Sequence, residues 1–290
     1  MIAFLYPGQG SQRPQMGREL FDVVPEFGRL EPMIDETLGY SLRDLCLEAG
    51  GNRLSRTEFT QPALYVINAL HHYKALSEGA VPSFAAGHSL GEYNALLAAG
   101  AFDFMTGLRL VQKRGALMGA AKGGGMAAVL GIGADAVARI LHREGMNRLE
   151  IANYNAPTQL VVSGDVGQLD AAKAAFEKNG ARAVIRLPVS AAFHSSFMRE
   201  AATEFATLLR AVEFARLRIP VISNVTGEPY PSLDPARFAD LLAEQICSPV
   251  QWSKTIRYLV GRDVTEFREI GPGRVLVGLL AQNDVGKGKA

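Results

Sequence analysis

Ser83-Phe84-Ala85-Ala86-Gly87-His88-Ser89-Leu90-Gly91-Glu92 is the stretch that decides the fold. Residues 83–86 are small and apolar, and residues 92–99 are rich in Ala and Leu and stop at Gly100. That order reads as a strand, a tight turn and a helix closed by glycine. The turn itself, Gly87-His88-Ser89-Leu90-Gly91, fits the pattern G-x-S-x-G. Flanking glycines permit a sharp strand-to-helix turn that projects the Ser89 hydroxyl from the backbone. The Leu90 amide then lies at a helix N-terminus, where unpaired N–H groups and the dipole stabilise an oxyanion. In a chain with 30 glycines the pattern alone is weak. The strand–turn–helix setting is what favours a nucleophile over a simple glycine-rich turn.

Outward from this turn, strands and helices continue to alternate. Residues 1–6 form a short apolar run ended by Pro7-Gly8-Gln9-Gly10, a buried strand followed by a tight loop. Residues 16–24 and 104–118 read as helices, as do residues 63–76, which Thr60-Gln61-Pro62 precedes in the form of a cap with proline opening the helix. The segment between Gly123-Gly124-Gly125 and Pro188 has its own rhythm. Strands are expected at 126–132, 149–153, 160–163 and 182–187, with helices at 135–143 and 170–178. This βαββαβ order is the ferredoxin-like arrangement. The expected fold class is therefore α/β, with a larger body over residues 1–122 and 190–290 and a small inserted subdomain over residues 123–189. Strands at 220–224 and 264–270 resume the body, and residues 286–290 are expected to fray.

With 290 residues, 48% of them hydrophobic and 20% charged, the chain can bury the core of one large domain or two smaller ones. A net charge of +1 gives no argument for nucleic acid or an anionic membrane as partner. Its two cysteines, Cys46 and Cys247, are too few for a disulfide framework and lack the clustered partners of a metal site, so they read as packing residues. Apolar runs fall short of the roughly 18 residues that span a bilayer. No basic segment precedes the first apolar run, so the expectation is a cytoplasmic protein without a secretion signal.

A serine nucleophile needs a base, and five histidines are available. His71 and His72 share a helix with Lys74 and read as surface residues, His142 lies between Arg139 and Arg143, and His88 should diverge from its neighbour at a tight turn. His194 differs, because residues 187–198 contain no Asp, Glu, Lys or Arg and small side chains flank the imidazole. Such surroundings keep it neutral, as a base requires, although a satisfied core histidine would look the same. In the helix at 104–118, Phe104, Leu108, Val111, Gly115 and Met118 form the apolar stripe, and Arg114 sits about 80° from its centre. A guanidinium bordering the core needs an anionic partner, either an internal carboxylate or the carboxylate of a substrate.

Taken together, these residues resemble the malonyl-CoA:acyl-carrier-protein transacylases, in particular the free-standing acyltransferases that serve polyketide synthases. The likeness runs through Gly8-Gln9-Gly10-Ser11-Gln12, Thr60-Gln61-Pro62-Ala63, Gly87-His88-Ser89-Leu90-Gly91-Glu92 and Gln112-Lys113-Arg114-Gly115. It continues through Asn153-Tyr154-Asn155, Ala192-Phe193-His194-Ser195, Ser248-Pro249-Val250 and Gly271-Pro272-Gly273. The resemblance implies a hydrolase-like parallel-sheet body carrying the ferredoxin-like insertion, with the active site in the cleft between them. It implies Ser89 as the acylated nucleophile, His194 as general acid/base, Gln9 and Leu90 as oxyanion amides, and Arg114 as the holder of the malonyl carboxylate. It also places the carbonyl of Gln245 where it orients His194. Gln61, Met118 and Phe193 are expected in the acyl pocket, with Phe193 and Leu90 accompanying malonyl preference. Asn153 and Asn155 are expected at the CoA or carrier entrance.

No metal or resident cofactor is implied. The expected partners are malonyl-CoA and an acyl carrier protein or a carrier domain of a polyketide synthase, met by a monomer. Arg182, Arg186, Arg257 and Arg262 are candidates for a basic patch facing an acidic carrier. An editing hydrolase that strips acyl groups from carriers would use the same Ser89 and His194, although related editing enzymes usually lack the arginine. A non-catalytic docking protein is the third alternative.

Overall fold

The computed structural model describes residues 1–48, 52–189, 191–231, 234–283 and 285. Four strands, β1 (Ile2–Tyr6), β2 (Phe84–Gly87), β7 (Val221–Ile222) and β8 (Glu266–Glu269), form a parallel sheet in the order β7-β2-β1-β8. Its central strands are buried on both faces, as parallel strands are when helices cover them. Phe4, Tyr6 and Ala85 enter the larger core on one face. Ala3, Leu5, Phe84, Ala86 and Ile222 enter a second core on the other, with Trp252 and Ile256 of α10 (Trp252–Val260) and Leu276 and Leu279 of α11 (Val275–Gln282).

On the first face lie α1 (Pro25–Leu38), α2 (Leu42–Leu47), α3 (Thr57–Ser77), α4 (Gly91–Ala98), α5 (Phe104–Ala120), α8 (Arg199–Leu209) and α9 (Ala236–Cys247). A second sheet is antiparallel throughout, with order β4-β5-β3-β6. Its strands are β3 (Gly125–Leu130), β4 (Leu149–Ala156), β5 (Gln159–Gly164) and β6 (Ala183–Arg186), connected through α6 (Ala134–Arg143) and α7 (Val166–Lys178). Ala127, Val129, Leu160 and Val162 pack with these two helices, whereas Met126, Ala152 and Val161 turn into the core of the body. β4 is also tied to the loop after α9, since Tyr154 N–H donates to Val250 O at 2.9 Å and Val250 N–H donates to Ala152 O at 2.9 Å.

Several expectations need correction. Residues 16–24 are not a helix. They close in successive turns, with Met16 N–H to Arg13 O and Leu20 N–H to Gly17 O, after Gln15 enters the left-handed region at φ 62°. Pro62 does not open α3 but lies inside it, because the helix already begins at Thr57. Thr60 is no cap; its hydroxyl donates back to the carbonyls of Leu54 and Arg56. His72 is not a surface residue: α3 lies against β1, and the ring is buried 2.8 Å from the Tyr6 hydroxyl, with burial pushing its pKa down to about 4. The strands expected at 220–224 and 264–270 shorten to Val221–Ile222 and Glu266–Glu269. Residues 286–290 lie outside the described residues. Among those described, no helix is long and apolar enough to cross a membrane.

Candidate active site

Ser89 occupies the turn between β2 and α4 with φ 52°, a left-handed conformation that costs a side-chain-bearing residue energy and is held only by its surroundings. The turn is too tight for any side chain at its first glycine, since a Cβ on Gly87 would lie 1.9 Å from the carbonyl carbon of Gly91. Ser89 Oγ stands 2.8 Å from His194 Nε2, and His194 Nδ1 stands 2.8 Å from the main-chain oxygen of Gln245. A carbonyl only accepts, so Nδ1 carries the proton and Nε2 offers its lone pair to the serine hydroxyl. His194 also has a positive φ of 58° and is almost fully buried. Burial first, and the Arg114 charge second, depress its pKa to about 3, so the imidazole is neutral in the free protein.

Arg114 is the largest departure from what helical spacing suggests. It is not at the border of the core but wholly inside it, 0% exposed, because α3 packs over α5. Among the described residues, no carboxylate is hydrogen-bonded to it. Its NH1 donates to Gln61 Oε1 at 2.8 Å, and its NH2 donates to Gln245 Oε1 at 2.7 Å and to Ser89 Oγ at 3.1 Å. The guanidinium carbon lies 5.5 Å from the centre of the Tyr93 ring, and Nε has no acceptor among the described residues. Of five guanidinium N–H bonds, three are used, and all three go to neutral oxygens. The guanidinium is hydrogen-bonded only to neutral groups, with the Glu92 carboxyl attracting it from behind Gln245, so its fork can still take an anion beside the serine. Burial accordingly lowers the Arg114 pKa from its ordinary value.

The loop Pro7-Gly8-Gln9 presses on the same turn. A Cβ on Gly8 would lie 2.3 Å from His88 O and 3.5 Å from Leu90 N, so only glycine lets the backbone approach this closely. Gln9 is anchored by its side chain, whose Nε2 donates to Thr57 Oγ1 at 3.2 Å. Neither the Gln9 nor the Leu90 amide donates to a protein acceptor among the described residues, which leaves both free for an oxyanion.

In front of Ser89 lies a cavity of about 90 Å³. Gln61, Met118 and Phe193 wall it from the body, and Met126, Asn153 and Leu187 wall it from the second sheet, so it lies between the two sheets. A cavity of this size takes a short acyl group, and a longer thioester must extend outside it.

The structure thus brings Gln9, Gln61, Ser89, Leu90, Arg114, Met118, Asn153, Phe193 and His194 to one cavity, with Gln245 behind it. Asn155 does not line it. Its side chain is nearly buried and holds His88 Nε2 at 2.8 Å. Arg182, Arg186, Arg257 and Arg262 are all exposed, but Arg186 lies 3.9 Å from Asp170 and Arg262 stacks on Tyr258.

Spacing did not single out the buried polar group behind the site. Gln245 Nε2 donates to Glu92 Oε2 and Ser89 O at 2.6 and 2.8 Å, and Glu92 also accepts from Tyr230 OH at 2.6 Å. Burial raises the Glu92 pKa to about 7 against these hydrogen bonds. One signal was present in the sequence: a glutamate opening a helix rich in Ala and Leu needs partners.

Residues 3–282 match the acyl transferase domain family. The chain belongs to this family. Among similar proteins, the acyl transferase is 49% identical to the polyketide biosynthesis malonyl CoA-acyl carrier protein transacylase BaeC of Bacillus velezensis, over 97% of this chain and 96% of that protein. It is 49% identical to the polyketide biosynthesis protein PksE of Bacillus subtilis, where 97% of this chain spans only 36% of the relative. The crystal structure of a malonyl CoA-acyl carrier protein transacylase from Burkholderia pseudomallei superposes with a TM-score of 0.92 at 46% identity, covering 98% of each chain. A malonyl-transacylase in complex with its type II polyketide synthase acyl-carrier protein superposes with a TM-score of 0.92 at 33% identity, covering 97% and 92%.

Proposed function

We propose that this acyl transferase moves a malonyl group from malonyl-CoA, through an ester on Ser89, to the phosphopantetheine thiol of an acyl carrier protein in polyketide or fatty acid synthesis. His194 Nε2 takes the Ser89 proton as Oγ attacks the thioester carbon. The Gln9 and Leu90 amides receive the oxyanion, the C–S bond breaks, and the CoA sulfur leaves with the proton from His194. In the second half the carrier thiol loses its proton to His194, its sulfur attacks the ester carbon, and Ser89 Oγ recovers a proton as it leaves. The chain's own residues suffice for every proton transfer.

One observation carries the substrate class: a buried cationic fork with no carboxylate hydrogen-bonded to it among the described residues lies 3.1 Å from the attacking oxygen. The ester O–C bond and two C–C bonds of about 1.5 Å put the free carboxylate of a malonyl ester about 4 Å from Oγ, within reach of that fork. Arrival of the carboxylate also cancels a charge that depresses His194, so the imidazole becomes a stronger base when the carrier thiol must be deprotonated. Support for the carrier as acceptor comes from the malonyl-transacylase solved with an acyl-carrier protein. A CoA thioester as donor places the reaction in the cytoplasm, and a single chain holds all the groups named.

The test is to supply malonyl-CoA with and without phosphopantetheinylated carrier protein and follow both products by mass spectrometry. Malonyl-carrier formation that outruns release of free malonate is expected. Rapid release of free acid with no carrier loading would favour the editing hydrolase instead. Absence of any acyl-enzyme in folded protein would favour a non-catalytic docking protein.

A further inference from the structure

The parallel register pairs Ala85 with Val221 and Ala86 with Ile222, so two residues further on position 224 stands beside position 88, at the nucleophile turn. In a parallel ladder, the residue opposite 88 would donate its main-chain N–H to Gly87 O and accept the Ser89 N–H with its main-chain carbonyl. At this position the ladder has ended, and the main chain of Asn224 is engaged elsewhere. Its N–H donates to Glu92 Oε1 at 3.1 Å, and its carbonyl accepts from Gln251 N–H at 2.8 Å. The missing pair of bonds is made by the side chain: Asn224 Nδ2 donates to Gly87 O at 2.6 Å, and Oδ1 accepts from Ser89 N–H at 2.7 Å. Asn224 is 1% exposed and touches neither the cavity nor Arg114.

We infer that Asn224 is a positioning residue for acyl transfer, its side-chain amide standing in for a strand peptide and clamping the Ser89 turn in the left-handed conformation that aims Oγ at His194. The inference rests on Ser89 being the acylated group. The clamp is needed because φ 52° is not where a serine backbone rests by itself. Released from both ends, the turn relaxes and carries Oγ away from Nε2. An amide is the side chain that serves here, since one end must donate and the other accept. Glu92 and Gln251 fix the Asn224 backbone from opposite sides, so the amide arrives in one orientation.

The experiment is rapid-quench acylation by malonyl-CoA in Asn224→Ala, with burst amplitude and rate constant measured separately. A purely structural role would reduce the number of competent sites and so the amplitude. A positioning role reduces the rate constant per competent site and leaves half-saturation by malonyl-CoA unchanged within threefold, because Arg114 and the acyl pocket are untouched. A tenfold or greater fall in the saturated rate constant is expected, and a smaller fall, or a loss confined to amplitude, would overturn the inference. Should Asn224→Ala not fold, Asn224→Asp keeps the acceptor for Ser89 but turns an oxygen on Gly87 O; it should acylate at least fivefold more slowly, and a smaller effect would overturn the inference. Failure of the wild-type protein itself to form the acyl-enzyme would refute the proposed function rather than the clamp.

Discussion

Replacing Arg114 with Ala separates a substrate-binding cation from a structural one. In the free protein the guanidinium donates at 2.7–3.1 Å to Gln245, Gln61 and Ser89, none of them charged. A malonyl carboxylate brought to this fully buried group forms a desolvated ion pair, and truncating one partner of such a pair costs about 2–5 kcal/mol. An acetyl group has no carboxylate, so it loses only the single charge-assisted bond to Ser89, about 1.5–3 kcal/mol in net effect. The difference, up to about 3 kcal/mol, corresponds to a selective loss of up to roughly 150-fold in malonyl against acetyl loading. The assay is single-turnover acylation by each CoA ester, quenched and read by intact-protein mass spectrometry, with thermal unfolding measured alongside. Two amide oxygens lose their donor, yet a buried unpaired charge disappears as well, so stability changes far less than selectivity. Equal losses with the two esters would refute the assignment of Arg114 to the carboxylate.

Phe193→Ala enlarges the wall of a cavity of only about 90 Å³ and should shift the malonyl-to-methylmalonyl loading ratio toward methylmalonyl by about 1–3 kcal/mol, measured by competition. Gly8→Ala places a methyl group 2.3 Å from His88 O, displaces the Gln9 amide, and should lower the acylation rate constant by roughly 100-fold without abolishing substrate binding. With a folded-state pKa of about 3, His194 should give no limb near pH 6.5 in the acylation profile of the free protein. Its contribution to stability is complete above about pH 6.5 and declines as pH falls toward 3, because the unfolded chain binds that proton first. Glu92 has the opposite sign. With a folded pKa of about 7 against 4.5, its contribution is complete below about pH 4.5 and is lost as pH rises through 7, so Glu92→Gln should flatten the fall in thermal stability between about pH 4.5 and 7, by at most about 3 kcal/mol.

The nucleophile turn was legible because its chemistry and its geometry demand the same residues. Gly87 is required by a 1.9 Å approach and Ser89 by the reaction, so both are visible in five consecutive letters. The second sheet was legible because its strands and helices alternate with two distinct periods. His194 stood out by the absence of charges around it, and Arg114 by its place beside an apolar stripe. The depth of Arg114 was not legible, because burial there is set by α3, which ends 37 residues earlier in the chain. The polar network of Glu92, Asn224 and Tyr230 was hidden for the same reason. Each bond joins residues more than 130 positions apart, and the register between β2 and β7 that brings Asn224 to Ser89 has no local signature. Residues 16–24 misled because apolar spacing cannot tell a helix from turns that bury the same side chains.

The central claim is that a malonyl ester on Ser89 is held by Arg114. A crystal structure of the protein soaked with malonyl-CoA and frozen without carrier protein tests it most directly. Density continuous with Ser89 Oγ is expected, its free carboxylate within hydrogen-bond distance of the Arg114 fork. An ester whose carboxylate points to solvent, with Arg114 still bound to Gln61 and Gln245, would contradict it.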